Sequence, residues 1–137
     1  MKLFVFNPEH DMALASNLLH FTPPRAACLI RRNLGFLPSL WAADGDIILA
    51  EDKTIAREKA RQLNIDCKGE FLTPDMLQQL LLSGLQPDAV CPWGWDLNIC
   101  NELLNYGIAP ALLPDSSRLN VIRQMSHRHW ASGNLLL

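Results

Sequence analysis

The chain has 137 residues, 49% of them apolar and 19% charged, with a formal net charge of -2. That length and balance describe one folded domain around one core and exclude a disordered or fibrous chain. Lysine and arginine are dispersed, the tightest group being Arg57, Lys59 and Arg61 on one predicted helix, so no nucleic-acid partner is expected.

No apolar run approaches the ~20 residues needed to span a bilayer, and no basic leader precedes the first apolar run. A cytoplasmic location without a membrane partner is the expectation. Cys28, Cys67, Cys91 and Cys100 form no CxxC pair and sit among mostly apolar neighbours. They are expected as buried free thiols, and no metal site is assigned to them.

In chain order, the first signal is the near-continuous apolar run KLFVF, Lys2 to Phe6, followed at once by NPEHD. The run predicts a strand buried on both faces, and Asn7 with Pro8 predicts a helix start of the cap-then-proline kind. The same grammar recurs at Thr22 and Pro23, and Gly35 is expected to close that helix in a left-handed conformation. A second strand is predicted at Asp46 to Ala50, DIILA, and a helix follows whose apolar stripe is Ile55, Ala56, Ala60 and Leu63. Gly69 to Leu72 is predicted as a further short strand before Thr73 and Pro74 begin the next helix, which places Met76, Leu77, Leu80 and Leu81 at core spacing and stops at Gly84. DAVC, Asp88 to Cys91, is the next strand; PWGWD and a helix from Leu97 to Tyr106 follow, closed by Gly107. The last segment is predicted to start at a serine cap and to align Leu119, Ile122 and Met125 on one face. Strands alternating with helices imply a three-layer α/β domain, a parallel sheet of about four strands with helices on both sides.

In such a sheet ligands sit beyond the carboxyl ends of the strands, at the point where connections depart to opposite faces. NPEHD, the Glu51–Asp52 pair and PWGWD belong to that rim, and the first and last meet there if the first strand lies beside the one ending at Cys91. NPEHD carries neither GxGxxG nor GxxxxGK. Pro8 removes a donor, and Glu9 and Asp11 bring negative charge to a helix start, so phosphate is disfavoured and an amine, guanidinium, hydroxyl-rich group or divalent cation suits the loop better. Helix initiation alone also accounts for Asn7, Pro8 and Glu9. His10 has the chemistry of a general base or metal ligand, or simply of a partner for a nearby carboxylate. Trp93 and Trp95 are read as core packing or as a platform for a flat or sugar-like ligand; Gly94 permits close backbone approach, and Asp96 is read first as a helix cap. Asp52 is read as a cap with an exposed neighbour. His127 and His129 in SHRHW are two apart and share no helix face.

FNPEHDMALA, FTPP, PWGWD and the terminal RLNVIRQMSH together resemble the amino-terminal part of an uncharacterised bacterial family related to ATP-grasp proteins. The resemblance implies a Rossmann-like preliminary domain over residues 1–114 and a helix over 115–137 leading toward ATP-grasp lobes beyond Leu137. It implies substrate recognition for a carboxylate-amine ligase, with Asn7, Glu9, His10, Asp11, Trp93, Gly94, Trp95 and Asp96 around a small-molecule acceptor. ATP and magnesium would belong to those lobes, so this chain is expected to hold neither and to be inactive alone. Two alternatives are a small metal-dependent hydrolase using His10, Asp11, Asp96 and His20, and a non-enzymatic module that self-associates through the terminal helix and its three closing leucines.

Overall fold

In the computed structural model, which describes residues 1–134, the apolar runs extend as Lys2–Val5 (β1), Ile47–Leu49 (β2), Glu70–Leu72 (β3) and Ala89–Pro92 (β4). They pair in parallel in the order β3-β2-β1-β4. The helices are His10–Ser16 (α1), Arg25–Leu34 (α2), Lys53–Gln62 (α3), Pro74–Leu82 (α4), Leu97–Tyr106 (α5), Ser116–Met125 (α6) and Arg128–Asn134 (α7). The architecture is the expected α/β one, a four-stranded parallel sheet flanked by helices in a Rossmann-like three-layer arrangement.

Strand periodicity explains the layers. Leu3, Val5, Ile47, Leu49, Leu72 and Val90 face α4 and α5, where Leu77, Leu81, Ile99 and Leu103 complete one cluster. Phe4, Ile48 and Phe71, the intervening residues, face the other way onto Phe36, Ala56 and Ala60. Central strands with two covered faces must be apolar at every position, which is why the sequence runs are continuous rather than alternating. β4 is an edge strand, and Pro92 at its end blunts the exposed ladder because it has no N–H to offer.

The cap-then-proline grammar holds at Thr73, whose hydroxyl accepts from the Met76 amide, with Pro74 opening α4. It fails at the other two positions. α1 begins at His10, and NPEH is instead a turn closed by the His10 N–H donating to the Asn7 carbonyl at 3.1 Å, with Pro8 at its first central position. α2 begins at Arg25 with no side-chain cap, so Thr22 does not start it. Gly84 and Gly107 close their helices with positive φ as expected, whereas Gly35 is right-handed (φ -58°) and the chain runs straight on toward a 3-10 turn at Leu37–Leu40. Asp52 and Asp96 cap α3 and α5. α6 is capped by Asp115 rather than by serine, because the Asp115 carboxylate accepts from the Arg118 amide at 2.8 Å.

Burial corrects other details. Leu63 is 61% exposed and Met76 38% exposed, so the stripes of α3 and α4 reduce to Ala56, Ala60, Leu77 and Leu81 with half-buried Ile55 and Leu80 beside them. Met125 is exposed while Leu119 and Ile122 are half-buried. Of the cysteines only Cys100 is buried; Cys28 is exposed and Cys67 and Cys91 lie between. The terminal segment is tied to the domain by Arg123, whose guanidinium donates to the Leu14 and Ala15 carbonyls at 3.1 and 3.2 Å. It satisfies carbonyls that α1, lacking a basic residue in its last turn, leaves open. Leu135 to Leu137, on which the self-association expectation partly rests, lie outside the described residues. Among the described residues no helix is long and apolar enough to cross a membrane.

Candidate functional site

β1 lies between β2 and β4, so the loops leaving β1 and β4 stand side by side at the carboxyl edge of the sheet. Asn7 fastens them together. After the Trp93 amide donates to the Val5 carbonyl at 2.7 Å, the ladder is continued by a side chain. The Asn7 carboxamide donates to the Gly94 carbonyl at 2.8 Å and accepts from the Gly94 amide at 3.3 Å. A carboxamide has the donor and acceptor of a peptide group, so buried Asn7 acts as one more rung. The sequence reading of Asn7 as a helix cap is corrected by this pairing.

The His10 imidazole lies against Gly94. A Cβ on Gly94 would collide with Cγ, Cδ2 and Nε2 of that ring, so the glycine is required by close approach rather than by its backbone angle. His10 Nδ1 is 3.3 Å from Oδ2 of Asp96. Asp96 is buried and its other oxygen accepts from the Ile99 amide at 2.7 Å, so one carboxylate both caps α5 and orients the imidazole. A carboxylate partner favours the Nδ1–H tautomer, which leaves Nε2 as an acceptor.

Glu9 stands at the start of α1, its carbonyl accepting from the Ala13 amide at 3.0 Å, but its side chain makes no capping bond there. It is 3% exposed and turns inward, its Oε1 accepting from Arg31 Nη1 at 2.8 Å. Arg31 Nη2 donates to Glu102 Oε1 at 3.0 Å, Nε lies 3.9 Å from Glu51, and the Tyr106 hydroxyl donates to the same Glu102 oxygen at 3.0 Å. Burial works against the Arg31 charge, but the attraction of Glu102, Glu9 and Glu51 outweighs it and raises the guanidinium pKa. Burial, then the Glu102 carboxylate, pushes the Tyr106 phenol well above its ordinary value, so it remains a donor. Three carboxylates thus converge on one guanidinium above the ends of β1 and β2. Two hollows adjoin this cluster. One, of about 110 Å³, is closed by Phe6, Leu49, Ala50 and Tyr106; the other, of about 360 Å³, opens between Glu9, Phe21 and the Asn98–Tyr106 face of α5.

The remaining expected site residues divide. Trp93 is 58% exposed, edge-on to Phe6 at 5.3 Å between ring centroids and tilted against Trp41 at 6.4 Å, so it stands on the rim. Trp95 leaves the rim: the chain bends at Trp93 and Gly94, and Trp95 packs on the Leu3–Val5 cluster and lines a separate cavity with Leu112 and Leu113. The two indoles therefore do not wall one recess. Asp11 is exposed and lines a different cavity of about 800 Å³, against Arg123, His127 and Trp130. That cavity is the larger one, yet its lining carries none of the cross-braced loop groups. His20 borders the α5 hollow, away from the His10–Asp96 pair. Among the described residues no group of three or more His, Cys, Asp or Glu side chains is arranged to hold a metal ion.

Sequence reasoning did not single out Arg31, Glu102 and Tyr106. The i, i+4 spacing of Glu102 and Tyr106 on a predicted helix was a signal that they share a face. Nothing local marks Arg31, since its partners lie 22 and 71 residues away. Comparison with family models, with curated proteins and with solved structures found no match for the chain.

Proposed function

We propose that this chain is the substrate-recognition domain of an ATP-grasp-like ligase and takes a cationic or hydroxylated acceptor at the β1–β4 rim. The observation that carries the reading is the cross-braced rim itself: Asn7 locks the two loops, His10 is held over Gly94 by Asp96, and carboxylates outnumber guanidiniums beside them. A switch point built on strands and helix ends positions groups more precisely than free loops do.

In this reading His10 Nε2 accepts a proton or hydrogen bond from the acceptor nucleophile, with Asp96 holding the ring and stabilising the imidazolium that results. Trp93 offers an exposed indole face to the apolar part of the ligand. Glu9, Glu51 and Glu102 set an acidic field that attracts amines and repels phosphate. The chain has no glycine-rich phosphate loop, so ATP and magnesium would be held by other lobes and this domain would position the acceptor only.

Calorimetric titration of the purified chain with a panel of hydroxylated amines, and separately with magnesium-ATP, tests this. Binding of amines, lost in His10→Ala, with no nucleotide binding and no ATP hydrolysis is expected. ATP hydrolysis that survives rigorous purification and disappears in His10→Ala would overturn it.

A further inference from the structure

We infer that the cavity of about 800 Å³ between α1 and the α6–α7 turn binds a zwitterionic α-amino acid with an aromatic side chain. The inference goes beyond the rim reading and does not rest on it, since none of the groups that brace the rim line this cavity.

One side chain fixes the shape of the cavity. Asp11, Leu14 and Ala15, at i, i+3 and i+4, turn one face of α1 toward it. Arg123 reaches across from α6 and donates from Nε to the Leu14 carbonyl at 3.1 Å and from Nη2 to the Ala15 carbonyl at 3.2 Å. The bonds that hold α6 to α1 therefore also seat a guanidinium in the lining, its planar fork oriented by two fixed acceptors.

The charges of the lining define the ligand. Carbonyls are neutral acceptors, so Arg123 keeps its positive charge, and among the described residues no carboxylate lies within 4.0 Å of it. Asp11, also exposed and also in the lining, has no cation within the same distance among the described residues. The contrast is with Arg31, whose charge three carboxylates of the chain already answer. Two opposite charges thus line one cavity without pairing with each other. A ligand with a single charge is attracted by one of them and repelled by the other, whereas a ligand with ammonium and carboxylate on a short backbone is attracted by both.

The apolar half of the ligand follows from the rest of the lining. Trp130 of α7 is half-buried and Leu14 is buried, so an indole and an aliphatic chain stand beside the two charges. Ring-on-ring packing adds to simple burial, which favours an aromatic side chain over an aliphatic one. The volume lies within the ordinary range for small-molecule sites and admits an aromatic amino acid whole.

The test is a proton–nitrogen correlation titration of the full chain with phenylalanine, beside phenethylammonium and hydrocinnamate, which each keep one of its charges. Phenylalanine is expected to shift the amides of Asp11, Leu14 and Ser126 and the Trp130 indole N–H. It should bind there at least about tenfold more tightly than either single-charge probe, the worth of one charge-assisted hydrogen bond. Arg123 is left in place because it holds α6 to α1, and variants are made at exposed Asp11, where surface substitution carries little folding risk. Asp11→Asn should erase the preference for phenylalanine over hydrocinnamate, and Asp11→Lys should invert it; a merely structural Asp11 would weaken both probes alike. Parent binding of either single-charge probe as tight as that of phenylalanine would overturn the inference. So would a preference unchanged in both variants, phenylalanine shifts confined to His10, Trp93 and Gly94, or no shift in the cavity by any probe.

Discussion

Substituting Gly94 by alanine probes whether the two rim loops form one unit. The new Cβ would meet three atoms of the His10 ring, so the ring must leave its place beside Asp96. Overpacking of this kind costs about 1–3 kcal/mol, and the lost His10–Asp96 bond adds about 1 kcal/mol. Against this, Gly94 is not in the left-handed region, so alanine gains about 0.4–1 kcal/mol from a less flexible unfolded chain. Gly94→Ala should therefore lower unfolding free energy by roughly 2 kcal/mol. His10→Ala alone should cost about 1 kcal/mol, but in that background the alanine Cβ meets no ring and only the chain-entropy gain survives. Equilibrium urea unfolding followed by tryptophan fluorescence, run on parent, both single variants and the double variant, reads the coupling directly. The double variant should be no less stable than His10→Ala, with a coupling energy of about 2.4–3 kcal/mol. Additivity within about 0.5 kcal/mol would refute the packing of His10 on Gly94.

Arg31→Met should destabilise the fold by about 3–5 kcal/mol, because it leaves Glu9 buried without its guanidinium, and urea unfolding would reveal this; a loss under about 1 kcal/mol would contradict the buried network. Asp46 accepts from the Ala43 and Lys2 amides, which lower its pKa below the ordinary carboxylate value despite some opposing burial. A depressed pKa means stability that is present above the unfolded value and lost as pH falls through the folded one. The thermal stability gap between parent and Asp46→Asn should therefore be full at neutral pH and narrow below about pH 4; a gap constant down to pH 3 would contradict it. Burial, aided by the Asp96 carboxylate, pushes the Cys100 thiol up to about 11, whereas Cys28 is exposed. Iodoacetamide at pH 8 should label Cys28 well before Cys100, as peptide mapping would show.

Much of the scaffold was legible because its signals are local or periodic. Continuous apolar runs mark β1, β2 and β4, and carboxyl or hydroxyl caps mark α3, α4 and α5 within three residues of their targets. The pairing of β1 with β4 put NPEHD beside PWGWD as the doubly wound pattern required. What escaped is what depends on distance along the chain. Asn7 has the composition of a cap, but its partner is Gly94, 87 residues on, and nothing near Asn7 reveals that. Glu9 has the composition of a first-turn acid, yet the chain turns before α1 and delivers it to Arg31 instead. Of the eight expected site residues, Asn7, Glu9, His10, Trp93, Gly94 and Asp96 stand together at the rim. Trp95 and Asp11 moved elsewhere because a bend and a helix start turned them away.

A crystallographic soak of the chain with small amines, polyols and inorganic phosphate tests the central claim most directly, because it reports position and chemistry together. Amines or hydroxylated amines should be found at the rim between Glu9 and the His10–Gly94 contact, with no phosphate there. Phosphate at the start of α1, or amines gathered only in the Arg123–Trp130 cavity with the rim bare, would contradict it.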